Sequence, residues 1–170
     1  SKPEQSESSL SNIGLRVENL KFEAGPQKFE DINFDVKKGE VLGLAGLKGS
    51  GRNLIIESIY GLHNIIAGSI YMDGKEQDIN EIKDSHRLGI GFVPKDRSEG
   101  IIRQHDIESN ISYPSMDTLG KLIYDKEKSK RFAESQVKAL EIETPNISQK
   151  VMNLSGGNQQ KVVLGKWLVT

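Results

Sequence analysis

Near the start of the chain, apolar residues recur at about every second position. Leu15, Val17 and Leu20 alternate loosely with polar residues from Ile13 onward, and Phe29, Ile32, Phe34 and Val36 do so again beyond Gly25-Pro26. A period near two, interrupted by a Gly-Pro step, predicts two strands joined by a turn. Lys37-Lys38-Gly39 predicts a tight turn into a third strand, the apolar run Glu40-Val41-Leu42-Gly43-Leu44-Ala45. Leu54 to Tyr60 is apolar-rich and predicts a helix that Gly61 stops. Gly68 to Met72 reads as a strand that ends in a hairpin turn at Asp73-Gly74. Helical spacing returns from Ile79 to Leu88 and ends at Gly89. It leads into a second buried-strand run, Ile90-Gly91-Phe92-Val93-Pro94, and then a charged loop, Lys95 to Gly100.

From Asp106 the strand signals fade. Asp125 to Ile142 predicts a long amphipathic helix with Phe132, Val137, Leu140 and Ile142 on its apolar face. Pro145 breaks that pattern, and a last helix runs from about Gly157 through Val162 and Val163, with Trp167 and Leu168 expected in the core. Strand-rich first and helix-rich last, with a strand–loop–helix unit between, predicts an α/β nucleotide-binding fold with a helical insertion. Ser1 to Ser11 is polar, Ser-rich and aperiodic, which predicts a linker. The expected organisation is a linker over 1–12, an antiparallel β subdomain with part of the nucleotide-binding core over 13–105, and a helical subdomain over 106–170.

The candidate chemistry sits at two helix starts. Gly46-Leu47-Lys48-Gly49-Ser50-Gly51-Arg52-Asn53 lies between a predicted strand and a predicted helix, the context of a phosphate-binding loop. The consensus G-x-x-x-x-G-K-[ST] places glycines where backbone N–H groups close around phosphates, a lysine on the outer phosphate oxygens and a hydroxyl on Mg²⁺. Both glycines are in register, but Arg52 stands in place of the lysine and Asn53 in place of the hydroxyl. Arg52 keeps the positive charge. Asn53 offers Mg²⁺ a neutral amide oxygen, a less usual ligand. Loss of a group aimed at transition-state charge costs about 3 kcal/mol, so hydrolysis is expected to suffer more than nucleotide affinity. The second start is Leu154-Ser155-Gly156-Gly157-Asn158-Gln159-Gln160-Lys161. Ser155 can cap a helix, two glycines let a ligand approach the backbone, and Asn158 fits a capping-box-like return contact.

Composition narrows the field. The 170 residues carry Lys+Arg 23 against Asp+Glu 24, a net charge of -1, which argues against nucleic acid as a partner. With no cysteine, thiolate metal sites and a cysteine nucleophile are excluded. No apolar run reaches the roughly 18 residues that a membrane span needs. His63, His86 and His105 lack ligand-like spacing and are expected to make local hydrogen bonds.

The phosphate-type loop, Gly91-Phe92-Val93-Pro94-Lys95-Asp96-Arg97 and the run LSGGNQQK, in that order, resemble the ATP-binding cassette of ABC transporters. More narrowly, they are similar to the second of two tandem cassettes in simple-sugar importers, with the likeness covering Ile13 to Thr170. The resemblance implies a P-loop NTPase fold with an N-terminal antiparallel β subdomain and a helical insertion. It also implies ATP and Mg²⁺ as ligands, a second nucleotide-binding domain and a transmembrane permease as partners, an external solute-binding protein indirectly, and a place at the cytoplasmic face of the membrane. Gly46 to Asn53 would hold nucleotide. Leu154, Ser155, Gly156, Gly157, Asn158 and Gln159 would form the signature that caps the γ-phosphate of ATP held by the other cassette. Phe22 falls where the family sets an aromatic ring against adenine, with a core or hairpin role as the alternative. Lys95, Asp96 and Arg97 fall at the coupling loop, with a solvated turn as the alternative.

The family's next motif, an apolar strand ending in Asp-Glu, and its later switch histidine have no counterpart here, so the chain is expected to be a fragment with an exposed sheet edge and no hydrolysis of its own. Two other readings stay open: a soluble ABC ATPase that does not transport, and a non-catalytic cassette that only donates its signature.

Overall fold

The computed structural model describes residues 12–113 and 126–168. The predicted linker over Ser1 to Ser11 and the predicted helix start at Asp125 lie outside them. The chain divides after Gly91 into two compact units.

The first unit is built on a four-stranded antiparallel sheet. Strands β1 (Ile13–Ala24), β2 (Gln27–Lys37), β3 (Ile65–Met72) and β4 (Lys75–Gln77) stand in the order β2-β1-β3-β4. Gly25-Pro26 and Asp73-Gly74 make the two tight turns, with Gly25, Asp73 and Gly74 at positive φ. The register pairs Val17 with Phe34 and with Ile70, and Phe22 with Phe29 and with Ile65. One face of β1 therefore supplies the core residues Val17, Leu20 and Phe22. Irregularities near Asn19 break strict alternation. At φ +90, Gly68 passes so close to the Asn19 and Glu18 carbonyls that any Cβ would collide with them.

Helix α1 (Arg52–Ile59) and helix α2 (Ile82–Arg87) complete this unit. Ile59, with Leu54 and Ile55, packs on the sheet's core. Helix α2 starts three residues later than its apolar spacing suggests. Glu81 and Asp84 form a capping box there, and the Asp84 carboxylate accepts the N–H groups of Asn80 and Glu81 at 3.0 Å each. Those two backbone donors, reinforced by Arg87, hold its pKa below the usual carboxylate range.

Two predicted strands do not form. Glu40 to Ala45 and Ile90 to Pro94 take part in no ladder among the described residues, and Val41 is 95% exposed. A central strand exists only through its neighbours' hydrogen bonds, and no described segment lies alongside to supply them.

The second unit is helical: α3 (Ile107–Ser112), α4 (Lys126–Ala139) and α5 (Gly156–Gly165), with short 3₁₀ turns at Arg97–Glu99 and Val151–Asn153. Ile107, Ile111, Ala133, Val162 and Val163 are fully buried and meet in one core, with Phe132, Val137 and Leu140 packed against it. Asn110 ties the entry to α3. Its side chain accepts from Ile102 N–H at 2.7 Å and donates to the Ile102 and Asp106 carbonyls. Leu168 does not join the core. It follows the end of α5 and is 48% exposed, while Trp167 is half-buried.

Candidate functional site

The glycine-rich loop lies in the first unit, ahead of α1, and is exposed from Gly46 to Ser50. Gly49 and Gly51 adopt φ of 88 and 78. Gly51 is the N-cap of α1 and offers no side-chain cap, so the first N–H groups of the helix face outward without one. A Cβ on Gly51 would collide with the ring of Phe29. The sequence thus needs glycine there twice over, for its left-handed backbone and for the ring beside it. Gln27 also reaches the loop, donating to the Gly49 carbonyl at 3.4 Å.

Arg52 turns back on the loop. Its Nη1 donates to the Gly46 carbonyl at 2.6 Å and to that of Leu47 at 3.2 Å. The cation that would face a phosphate is engaged by the loop's own backbone. Asn53 is exposed in the first turn of α1, and Leu47 and Lys48 project into solvent. No group of His, Asp or Glu among the described residues could hold a metal ion. For Mg²⁺ the described loop therefore offers neutral side-chain oxygens, the amide of Asn53 and the hydroxyl of Ser50, and the ion would take others from phosphate and water.

Phe22 does not present a face for a nucleotide base. It is 0% exposed, with its ring stacked on Phe29 at 4.6 Å and on His63 at 6.3 Å. Its place in the central strand of the sheet makes it a core residue. Phe29, only half-buried and on the loop side of this stack, is the ring that periodicity hid among ordinary strand positions.

The signature stretch lies in the second unit and is built differently. Ser155 is the N-cap of α5, and its Oγ accepts from Asn158 N–H at 3.4 Å and from Asn158 Nδ2 at 3.1 Å. With two donors already on the oxygen, the hydroxyl keeps its own hydrogen as a donor. Asn158 is itself fixed, because its Oδ1 accepts from Glu143 N–H at 3.1 Å and its Nδ2 lies 3.4 Å from a Glu143 carboxylate oxygen. Gln159 donates to the Val151 and Leu154 carbonyls and accepts from Arg97 Nε at 3.1 Å. Both amides are buried, at 6% and 7% exposure, whereas Ser155, Gly156 and Gly157 are exposed. Leu154 is buried in the core and anchors the approach to the helix.

Of the charged run Lys95, Asp96 and Arg97, only Arg97 meets this helix start. Asp96 caps the 3₁₀ turn by accepting from Ser98 N–H and Oγ, which lowers its pKa, and Lys95 is exposed. Each histidine makes a local hydrogen bond: His63 with Glu57 at 3.0 Å, His86 with Tyr60 at 2.7 Å and His105 with Tyr113 at 3.0 Å.

Comparison with known proteins shows the family and the fold. A family described as ABC transporter matches residues 29–170. The xylose import ATP-binding protein XylG of Thermoanaerobacter pseudethanolicus is 41% identical over 149 residues, covering 86% of this chain and 30% of the relative. The ribose import ATP-binding protein RbsA of Bacillus cereus is 38% identical over 160 residues, covering 93% of this chain and 32% of the relative. The chain thus spans about a third of the length of these relatives. Among solved structures, a nucleotide-free ATP-binding cassette from an ABC transporter superposes with a TM-score of 0.77 at 22% identity. That match covers 92% of this chain and 64% of the other, and establishes likeness of fold.

Proposed function

The chain belongs to the ABC transporter family, and we propose that it is an ATP-binding cassette of an importer for a simple sugar, the class to which the xylose and ribose import relatives point. The observation that carries the reading is the signature start of α5. An exposed Ser-Gly-Gly is held by two buried amides, with a hydroxyl hydrogen and the N–H groups of Gly156 and Gly157 left to donate. Those groups suit an anion at a helix N-terminus. In the proposed assembly they contact the γ-phosphate of ATP held by a second cassette, while Gly46 to Asn53 holds a nucleotide of its own.

The partners are that second cassette, a transmembrane permease and, through it, an external solute-binding protein. No helix among the described residues is long and apolar enough to cross a membrane. In the proposed assembly the cassette sits at the cytoplasmic face, on the permease. ATP with Mg²⁺ supplies the phosphoryl group whose transfer drives transport. At its own loop, this chain holds Arg52 on backbone carbonyls and offers Asn53 in place of a hydroxyl. Those features favour a second reading within the same assembly, in which this cassette binds nucleotide but mainly donates its signature.

The test is to express the whole polypeptide that carries this sequence and to isolate what it binds. Co-purification with a membrane permease, and ATP-driven uptake of labelled ribose, xylose or arabinose into vesicles, is the expected result. Co-purification with nucleic acid or ribosomes in place of a permease would sink the importer reading and favour a soluble ABC ATPase. The loop is tested separately by Arg52→Ala, which should lower nucleotide affinity by about tenfold, the loss of one charge-assisted hydrogen bond.

A further inference from the structure

The geometry points to Arg97 as an additional anion-binding residue of the signature site, a cation that the chain brings to the start of α5 for the phosphate the site receives. The inference rests on the reading of Ser155 to Gly157 as a phosphate-facing signature, and it moves Arg97 from coupling to binding.

Three observations carry it. First, the guanidinium lies against the signature itself. Its Cζ and Nη2 are each 3.4 Å, and its Nη1 3.6 Å, from where a Cβ on Gly156 would sit. These are van der Waals distances, so the planar group lies directly over the first turn of the helix. Second, the group is oriented. Arg97 Nε donates to Gln159 Oε1 at 3.1 Å, and Gln159 is locked by its own bonds to the Val151 and Leu154 carbonyls. One edge of the guanidinium is spent on that anchor. No hydrogen bond among the described residues uses either Nη group, which leaves them free for a second, bidentate contact.

Third, among the described residues the charge has no hydrogen-bonded counter-ion, although it acts through space on the neighbouring Asp96. No ion pair among the described residues includes Arg97. Its neighbour Asp96 is occupied by Ser98, and Glu143, the acid that touches this helix start, accepts from Asn158. A cation beside the positive end of a helix dipole is unfavourable by itself and becomes favourable when an anion lies between them. The N–H groups of Gly156 and Gly157, the Ser155 hydroxyl and the two Nη groups then form one set of donors. Arginine suits the role because its planar fork holds the Gln159 contact and a phosphate at the same time, which lysine cannot do.

The experiment uses the whole polypeptide with its permease and reads the apparent KM for MgATP in the ATPase reaction, at low and at raised salt. Arg97→Gln should raise that KM by about tenfold and flatten its salt dependence, as loss of an exposed charge-assisted contact does. The urea midpoint should fall only slightly, by the worth of the single hydrogen bond to Gln159. Arg97→Lys should recover part of the affinity through charge alone. It also serves as the informative variant should the glutamine protein fold poorly. An unchanged KM with turnover retained and sugar uptake lost would overturn the proposal in favour of coupling. An unchanged KM with uptake also retained would overturn it in favour of a solvated turn. Wild-type protein with no ATP-dependent turnover would remove the signature reading itself, an outcome distinct from either.

Discussion

Two helices in this protein begin with glycine-rich, phosphate-suited turns, and they are secured at opposite ends. Helix α1 is held at its tail: Ser58, Ile59 and Tyr60 are buried, and Ser85 Oγ donates to the Tyr60 carbonyl at 2.9 Å. Its start has no side-chain cap and is covered only by its own Arg52 and the ring of Phe29. Helix α5 is held at its head, where Ser155, Asn158 and Gln159 are bonded to one another and to the preceding chain. The difference separates two ways of making an anion site. The first is a cradle whose cation is freed when Arg52 lets go of the Gly46 and Leu47 carbonyls, and the second is a set of donors that stands ready.

The sharpest way to break that contrast is at the head of α5. Gln159→Leu strands the Leu154 carbonyl, leaves that of Val151 only the Leu154 N–H, and releases Arg97, and should cost about 3 kcal/mol by urea denaturation. A cost below about 1 kcal/mol would show that the head is not what secures the helix. The tail of α1 is probed by pH. Burial pushes the Tyr60 phenol up to about 12. An unfolded tyrosine loses its proton near 10, so between these values the unfolded chain binds fewer protons than the folded one. Stability should then fall by roughly 2 kcal/mol as pH rises through that window, and Tyr60→Phe should abolish this component of the alkaline loss. Gly51→Ala forces a left-handed backbone onto alanine and displaces Phe29, at a cost of about 1.5 kcal/mol. Calorimetry should show that loss together with weaker nucleotide binding. For the fold Ser155→Ala removes a cap, and its thermal shift should correspond to about 1 kcal/mol.

Much of this was legible in the order of residues. Alternation gave β1 and β2 directly, because one face of each strand meets the core and the other meets water. Gly25-Pro26 and Asp73-Gly74 marked their turns, and the LSGGNQQK run gave a helix start that Ser155 indeed caps. The runs at Val41 and Ile90 misled because an apolar stretch records a tendency to be covered, while a strand also needs a partner. Phe22 was left open between a base-facing and a core role for a related reason. Periodicity says that a ring faces a sheet's core side, but whether it ends under the core or at its rim depends on what packs over it. Gln159 and Arg97 were legible as charge and polarity only. Their pairing spans a separation that no local pattern encodes, although two amides on the same buried helix face as Val162 and Val163 could have flagged a polar anchor.

The sheet order carries one further consequence. β1 pairs with β2 on one side and with β3 on the other, so the segment between β2 and β3, which holds the glycine-rich loop and α1, leaves the sheet and returns to it. Both ends of that excursion are stapled by strand pairing, and doubling its length would cost only about 0.6 kcal/mol in closure entropy. A cut in the chain between Lys48 and Gly49 would therefore leave each strand pair of the sheet intact. Cleavage at that point would yield a protein whose sheet holds while its nucleotide loop is open, separating by topology two properties that the continuous chain keeps joined.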